Sequence, residues 1–146
     1  MSADGGLDDL FRQAVEAIDA GDTPALSRVL AAHPPLARAR LQSPGAWLRD
    51  RVGDALEGYF HRPYLLWFVA GNPVRNERLP GNIAAMAVLL AEAAHRADGA
   101  SLQEQLDYAL GLTVTGRVAR ESGVQIALMD ALIDAGARPG DGIGAL

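Results

Sequence analysis

Residues 123–140 read GVQIALMDALIDAGARPG. Within them Val124, Ala127, Leu128, Ala131, Leu132 and Ala135 recur at steps of three and four, the spacing of one apolar helix face. Ser122 stands where the helix wants an N-cap. Gly136 follows the last periodic residue, where a left-handed closing residue belongs, and Pro139 blocks continuation. Ile126, Met129 and Ile133 widen the apolar surface beyond the main stripe. The helix therefore has one face for its own core and a second that needs a cover. Residues 140–146 supply that cover, or the face serves self-association as a homodimer through the C-terminal unit.

Moving toward the N-terminus, residues 102–118 form a helix on Leu102, Leu106, Ala109, Leu110, Thr113 and Val114, with 117–122 as a charged connection. Asn82 caps a helix lined by Ile83, Met86, Ala87, Leu90 and Ala94, while Val88 and Leu89 broaden it into an element packed on both sides. Residues 72–81, NPVRNERLPG, are a loop on composition. Residues 64–72, YLLWFVAGN, form a helix introduced by Pro63. Residues 41–45 are a loop, and 46–60 a loop containing one irregular helix, since Gly53 and Gly58 interrupt the spacing of Trp47, Leu48, Val52, Leu56, Tyr59 and Phe60. The chain opens with a frayed end over 1–6. A helix on Leu7, Leu10, Phe11, Ala14, Ala17 and Ile18 comes next, then a stop at Gly21. A second helix, capped by Asp22 or Thr23, ends at His33-Pro34-Pro35.

Three helix pairs emerge, over 7–33, 63–94 and 102–135. The string Asp-Ala-Gly-Ala-Arg-Pro that ends the third resembles the close of an ankyrin repeat's second helix, Leu-Leu-x-x-Gly-Ala-Asp-Pro. AIDAGDTPALSRVLAAHPPLARAR, residues 17–40, resembles the opening repeat of bacterial ankyrin proteins. YLLWFVAGN is similar to the repeat's first helix, with Leu66, Val69 and Ala70 at packing positions; Tyr64, Leu65 and Trp67 depart from its Thr-Pro pair and histidine. Leu30, Leu90 and Leu132 are the equivalent positions, spaced wider than the repeat period of about 33 residues, so insertions separate the helices. The resemblance implies an all-α fold of stacked helical hairpins, an ankyrin-repeat-like solenoid of about three irregular repeats in a single domain over 1–146. It implies a non-catalytic protein–protein interaction scaffold, binding an unknown protein partner through its loops and concave helix surface.

Composition narrows the alternatives. A net charge of −5 argues against nucleic-acid binding, which needs clustered positive charge. No apolar run is long enough for a membrane span, and MSADGGLDDL lacks the basic and apolar segments of a secretory signal, so a cytoplasmic location is the expectation. The chain has no cysteine, hence no disulfide, thiolate zinc site or cysteine nucleophile. All 13 basic residues are arginine, which with abundant alanine suggests a GC-rich bacterial source. Glu57 and His61 share metal-ligand spacing without a third ligand, and His33 and His95 fall at helix ends. GLTVTGR, residues 111–117, lacks the lysine of a phosphate loop, and the glycine-rich 140–144 leads into no helix. No cofactor is expected.

Recognition is best carried by arginines interleaved with aromatics. Trp47, Arg49, Arg51, Arg62, Arg75 and Arg78 are the candidate partner-binding residues, because Trp and Arg dominate binding hot spots. Arg75 and Arg78 are expected to be solvent-exposed on the 72–81 loop. The alternative reading is a helical small-molecule or anion-binding domain using this arginine-rich middle.

Overall fold

The first reversal of the chain is set by Gly21. In the computed structural model, which describes residues 3–138, helix α1 (Ala3–Ala20) ends at this glycine with φ 70°. Gly21 N donates to Ile18 O at 3.2 Å and Asp22 N to Ala17 O at 2.9 Å, so the turn satisfies the last carbonyls of α1. Asp22 accepts from Ala25 N at 3.0 Å, and Pro24 lies in the first turn of α2 (Thr23–Ala32). The hairpin matches the sequence reading. One correction applies: α1 already begins at Ala3, not after a frayed end.

The middle is tighter than its composition suggested. Past α2 the chain winds into a 3-10 turn over Pro34–Arg38, burying Leu36 and Ala37. Helix α3 (Ala46–Val52) runs into a second 3-10 turn, Gly53–Glu57, where Gly53 adopts φ 55°. The expected α-helix at 64–72 is instead a 3-10 helix, Leu65–Ala70, all six residues of which are buried. Pro63 and Gly71 (φ 64°) confine it to a length at which an α-helix barely nucleates. A side chain at Gly71 would come within 3.2 Å of Leu79.

Helix α4 (Ile83–Asp98) is joined to α5 (Leu102–Val114) by a 3-10 turn, Gly99–Ser101. The stretch read as a charged connection contains α6 (Arg117–Glu121), which turns Val118 and Ala119 inward. Helix α7 (Gln125–Ala135) closes at Gly136, where Gly136 N donates to Ile133 O and Ala137 N to Leu132 O, both at 2.9 Å. Asn82 holds the N-cap position of α4 as expected, but its side chain donates to Gly21 O at 2.9 Å; the N-cap of α7 is Val124 and not Ser122, whose hydroxyl accepts from Leu79 N at 3.0 Å.

The fold class is all-α: among the described residues no strand forms, and an isolated antiparallel bridge pairs Arg40 with Tyr64. Helix α1 packs on α2 and on Leu65–Ala70, which in turn packs on α5. Helix α2 packs on α4, α4 on α7, and α5 on α7. Phe68 sits where these surfaces meet, with ring centroids 6.2 Å from Phe11, 5.1 Å from Phe60 and 6.5 Å from Trp47. Offset and edge-on contacts of this kind add to the burial of the rings themselves.

Candidate functional site

The arginine-rich middle is first of all a structural network. Arg75 is not solvent-exposed: only 9% of its surface remains accessible. Its guanidinium forks onto Asp19, with Nη2–Oδ1 at 2.6 Å and Nε–Oδ2 at 3.2 Å. Nη2 also donates to Phe68 O at 2.8 Å, and the group lies 5.2 Å from the Phe68 ring centre. Asp19 is drawn against the core by the last turn of α1, and the planar fork of arginine matches both its oxygens. Trp47 is anchored in a similar way. Its Nε1 donates to Asp8 Oδ1 at 2.8 Å while Gly45 N donates to the same oxygen at 2.9 Å.

The other four candidates remain on the surface. Arg49 donates from Nε to Pro44 O at 2.8 Å and lies 4.0 Å from Glu57. Arg51 donates from Nη1 to Arg75 O at 3.1 Å and to Asn76 Oδ1 at 3.0 Å. Arg62 has φ 49°, and its carbonyl accepts from Arg40 Nε at 2.8 Å. Arg78 is exposed and makes no hydrogen bond or ion pair among the described residues. Trp47, Arg51 and Arg75 converge with Arg12, Glu16 and Asp19 on a cleft of about 410 Å³, which Arg49, Arg62 and Arg78 do not line. Three guanidinium groups face two carboxylates in that cleft; Asp19 holds Arg75 and Glu16 lies beside Arg12, which leaves Arg51 as the arginine without a carboxylate partner there.

A second surface lies on the stretch that decided the fold. The six-residue stripe of α7 splits in two. Val124, Leu128 and Leu132 are buried, whereas Ala127 and Ala135 are exposed and Ala131 is half-buried. The leucines reach the core; the alanines are too short to fill the space between α7 and α4. What remains is a groove of about 560 Å³, floored by Ala91, Ala127, Ala131 and Ala135 and edged by Val88, Glu92, Asp130 and Asp134. Beyond Ala135 it continues into a hollow of about 290 Å³ beside His95, Arg96 and Leu102. Val88, expected to be packed, is 39% exposed at the groove's edge.

On the side of α7 away from the core, Ile126 is 68% and Ile133 39% exposed, with Met129 half-buried. The expected cover, residues 140–146, lies outside the described residues. Asp130 and Asp134 have no ion pair among the described residues, and Glu92 lies 4.0 Å from Arg96. Sequence reasoning missed this groove because alanine counted as core. The signal that could have found it is Ala127-x-x-Asp130-Ala131-x-x-Asp134-Ala135, in which each carboxylate precedes an alanine of the same face.

Among the described residues no group of three or more His, Cys, Asp or Glu is placed to hold a metal ion. His61 does not turn to Glu57; its Nδ1 lies 3.1 Å from Leu56 O. The 111–117 stretch is the end of α5 and its exit, where Arg117 pairs with Glu77 at 3.2 Å and Glu121 at 2.8 Å. Burial lifts the Tyr64 hydroxyl above the usual phenol range, and the nearby Glu104 carboxylate adds to the effect. Among the described residues no helix is long and apolar enough to cross a membrane. No family model, curated protein or solved structure matches this chain.

Proposed function

We propose that the chain is a non-catalytic protein-interaction scaffold that docks a partner in the α4–α7 groove. The observation that carries this reading is the groove itself: an open, alanine-floored trough of about 560 Å³ with exposed Val88 at its edge. Apolar surface left uncovered beside a polar rim marks interaction sites, and a trough between two helices suits a third. The order of packing supports a stack of ankyrin-like hairpins. One row is α1, Leu65–Ala70 and α5, the other α2, α4 and α7, with the segment between α2 and Pro63 as an insertion. In this stack the groove separates the second helices of the last two units, so docking moves from the arginine-bearing loops to the outer row.

Comparative affinity capture tests the reading, using the unaltered chain, Ala131→Arg and Arg78→Glu as baits in extract of the source organism. A reproducible prey retained by Arg78→Glu and lost with Ala131→Arg is the expected outcome. Retention by Ala131→Arg would remove the groove from the account. The alternative, an anion or small-molecule site in the middle, has the cleft beside Trp47 in its favour. Thermal stabilisation by phosphate that disappears in Arg51→Ala would establish it instead.

A further inference from the structure

The chemistry around the groove points to the kind of partner it takes, if the docking reading above is right. Three carboxylates edge the groove, from Glu92, Asp130 and Asp134. Glu92 lies 4.0 Å from Arg96, as other exposed charges are matched within the chain, Arg12 with Asp9 and Glu16, and Arg117 with Glu77 and Glu121. Asp130 and Asp134 have no such match among the described residues. Val88 at the edge of the groove and the alanines Ala91, Ala127, Ala131 and Ala135 give it an apolar lining, and Ile126 and Ile133 lie separately on the outer side of α7. An occupant must therefore cover an apolar strip while setting positive charge beside it.

A second copy of the chain is a poor occupant. Pairing α7 with its own copy across a two-fold axis, Ile126 against Ile133, places the two Asp130 side chains almost opposite each other. Like charges so placed oppose association, and the chain's net charge of −5 adds to the repulsion. We infer that the α4–α7 groove receives a cationic amphipathic helix of another protein. Its apolar stripe lies on the alanine floor beside Val88, and its Lys or Arg side chains lie against Asp130, Asp134 and Glu92. The small floor residues allow close approach of the helix backbone, and the carboxylates set its register and speed its arrival.

The probe is a fluorescein-labelled peptide of Leu and Lys at helical spacing, about 14 residues long, beside a counterpart with Glu in place of Lys. Anisotropy titrations at about 0.15 M salt compare the unaltered chain with Ala131→Arg and with two variants of equal charge change, Asp130→Lys/Asp134→Lys and Asp50→Lys/Asp54→Lys. Asp50 and Asp54 are exposed and away from the groove. The Lys peptide should lose about tenfold in affinity for the groove variant and stay within about twofold for the control variant, and the Glu peptide should bind at least about tenfold more weakly throughout. Equal losses in both variants would reduce the effect to net charge and overturn the inference. Groove-dependent binding of the Glu peptide would overturn the cationic assignment while leaving the docking reading intact. Binding of either peptide that ignores both Asp130→Lys/Asp134→Lys and Ala131→Arg would overturn both. A concentration-dependent dimer abolished by Ile126→Ser would assign the surface to a second copy.

Discussion

The middle of the chain and the α4–α7 groove use residue types against expectation. In the middle, Arg75 and Trp47 turn inward while the other arginines stay on the surface: Arg75 is held on Asp19 and Phe68 O, and Trp47 on Asp8. In the groove, alanine and valine face outward. Side-chain reach separates the two regions. An arginine is long enough to bring its charge to a carboxylate at the core's edge while its methylenes stay packed. An alanine on a helix face cannot meet a neighbour that a leucine one turn away already holds apart. The hot-spot look of the middle thus comes largely from interactions the protein makes with itself.

Breaking the Asp19–Arg75 pair should have the largest effect. Asp19→Ala leaves a buried guanidinium without its counter-ion and should destabilise the fold by about 3 kcal/mol. Arg75→Met should cost about half as much, because the Asp19 carboxylate, 21% exposed, can still reach water. Urea unfolding measures both; equal losses would mean that lost packing, not the stranded charge, dominates. Asp8→Ala removes the acceptor shared by Trp47 and Gly45 and should cost about 1 kcal/mol in the same assay.

Alkaline titration gives a smaller signal. Because burial raises the Tyr64 pKa above its ordinary value of 10.0, its contribution to stability is complete below that pH. It is lost as pH rises through the folded value, and Tyr64→Phe should flatten that part of the profile. At the groove the effect on stability should nearly vanish. Ile126→Ser and Ala131→Arg should each shift unfolding by no more than about 0.5 kcal/mol, since neither site belongs to the packed core. A loss of several kcal/mol at Ile126 would mean that its side chain is covered after all.

The helices were legible where a periodic stripe ended in a turn residue. Gly21 with Asp22, and Gly136 after Ala135, define their turns by backbone conformation and short-range hydrogen bonds, which the sequence states directly. Leu65–Ala70 was harder to read. Its residues are apolar on every side, so they carry no periodicity to separate a 3-10 from an α-helix. Arg75 was misread because its partner is 56 residues away on α1, a distance no local pattern crosses. The groove was hidden for a related reason: one stripe on α7 serves two neighbours, and only the position of α4 decides which alanines remain uncovered.

The proposed docking places the partner in the groove and not on the arginine-rich middle. Site-specific photo-cross-linking in living cells distinguishes the two, with a benzophenone side chain placed at Ala131 in one variant and at Arg78 in another. A discrete adduct from position 131, absent from position 78 and removed by the additional change Asp130→Lys/Asp134→Lys, is the predicted result. The same adduct from position 78 with none from position 131 would rule out docking in the groove and return recognition to the arginine-rich loop.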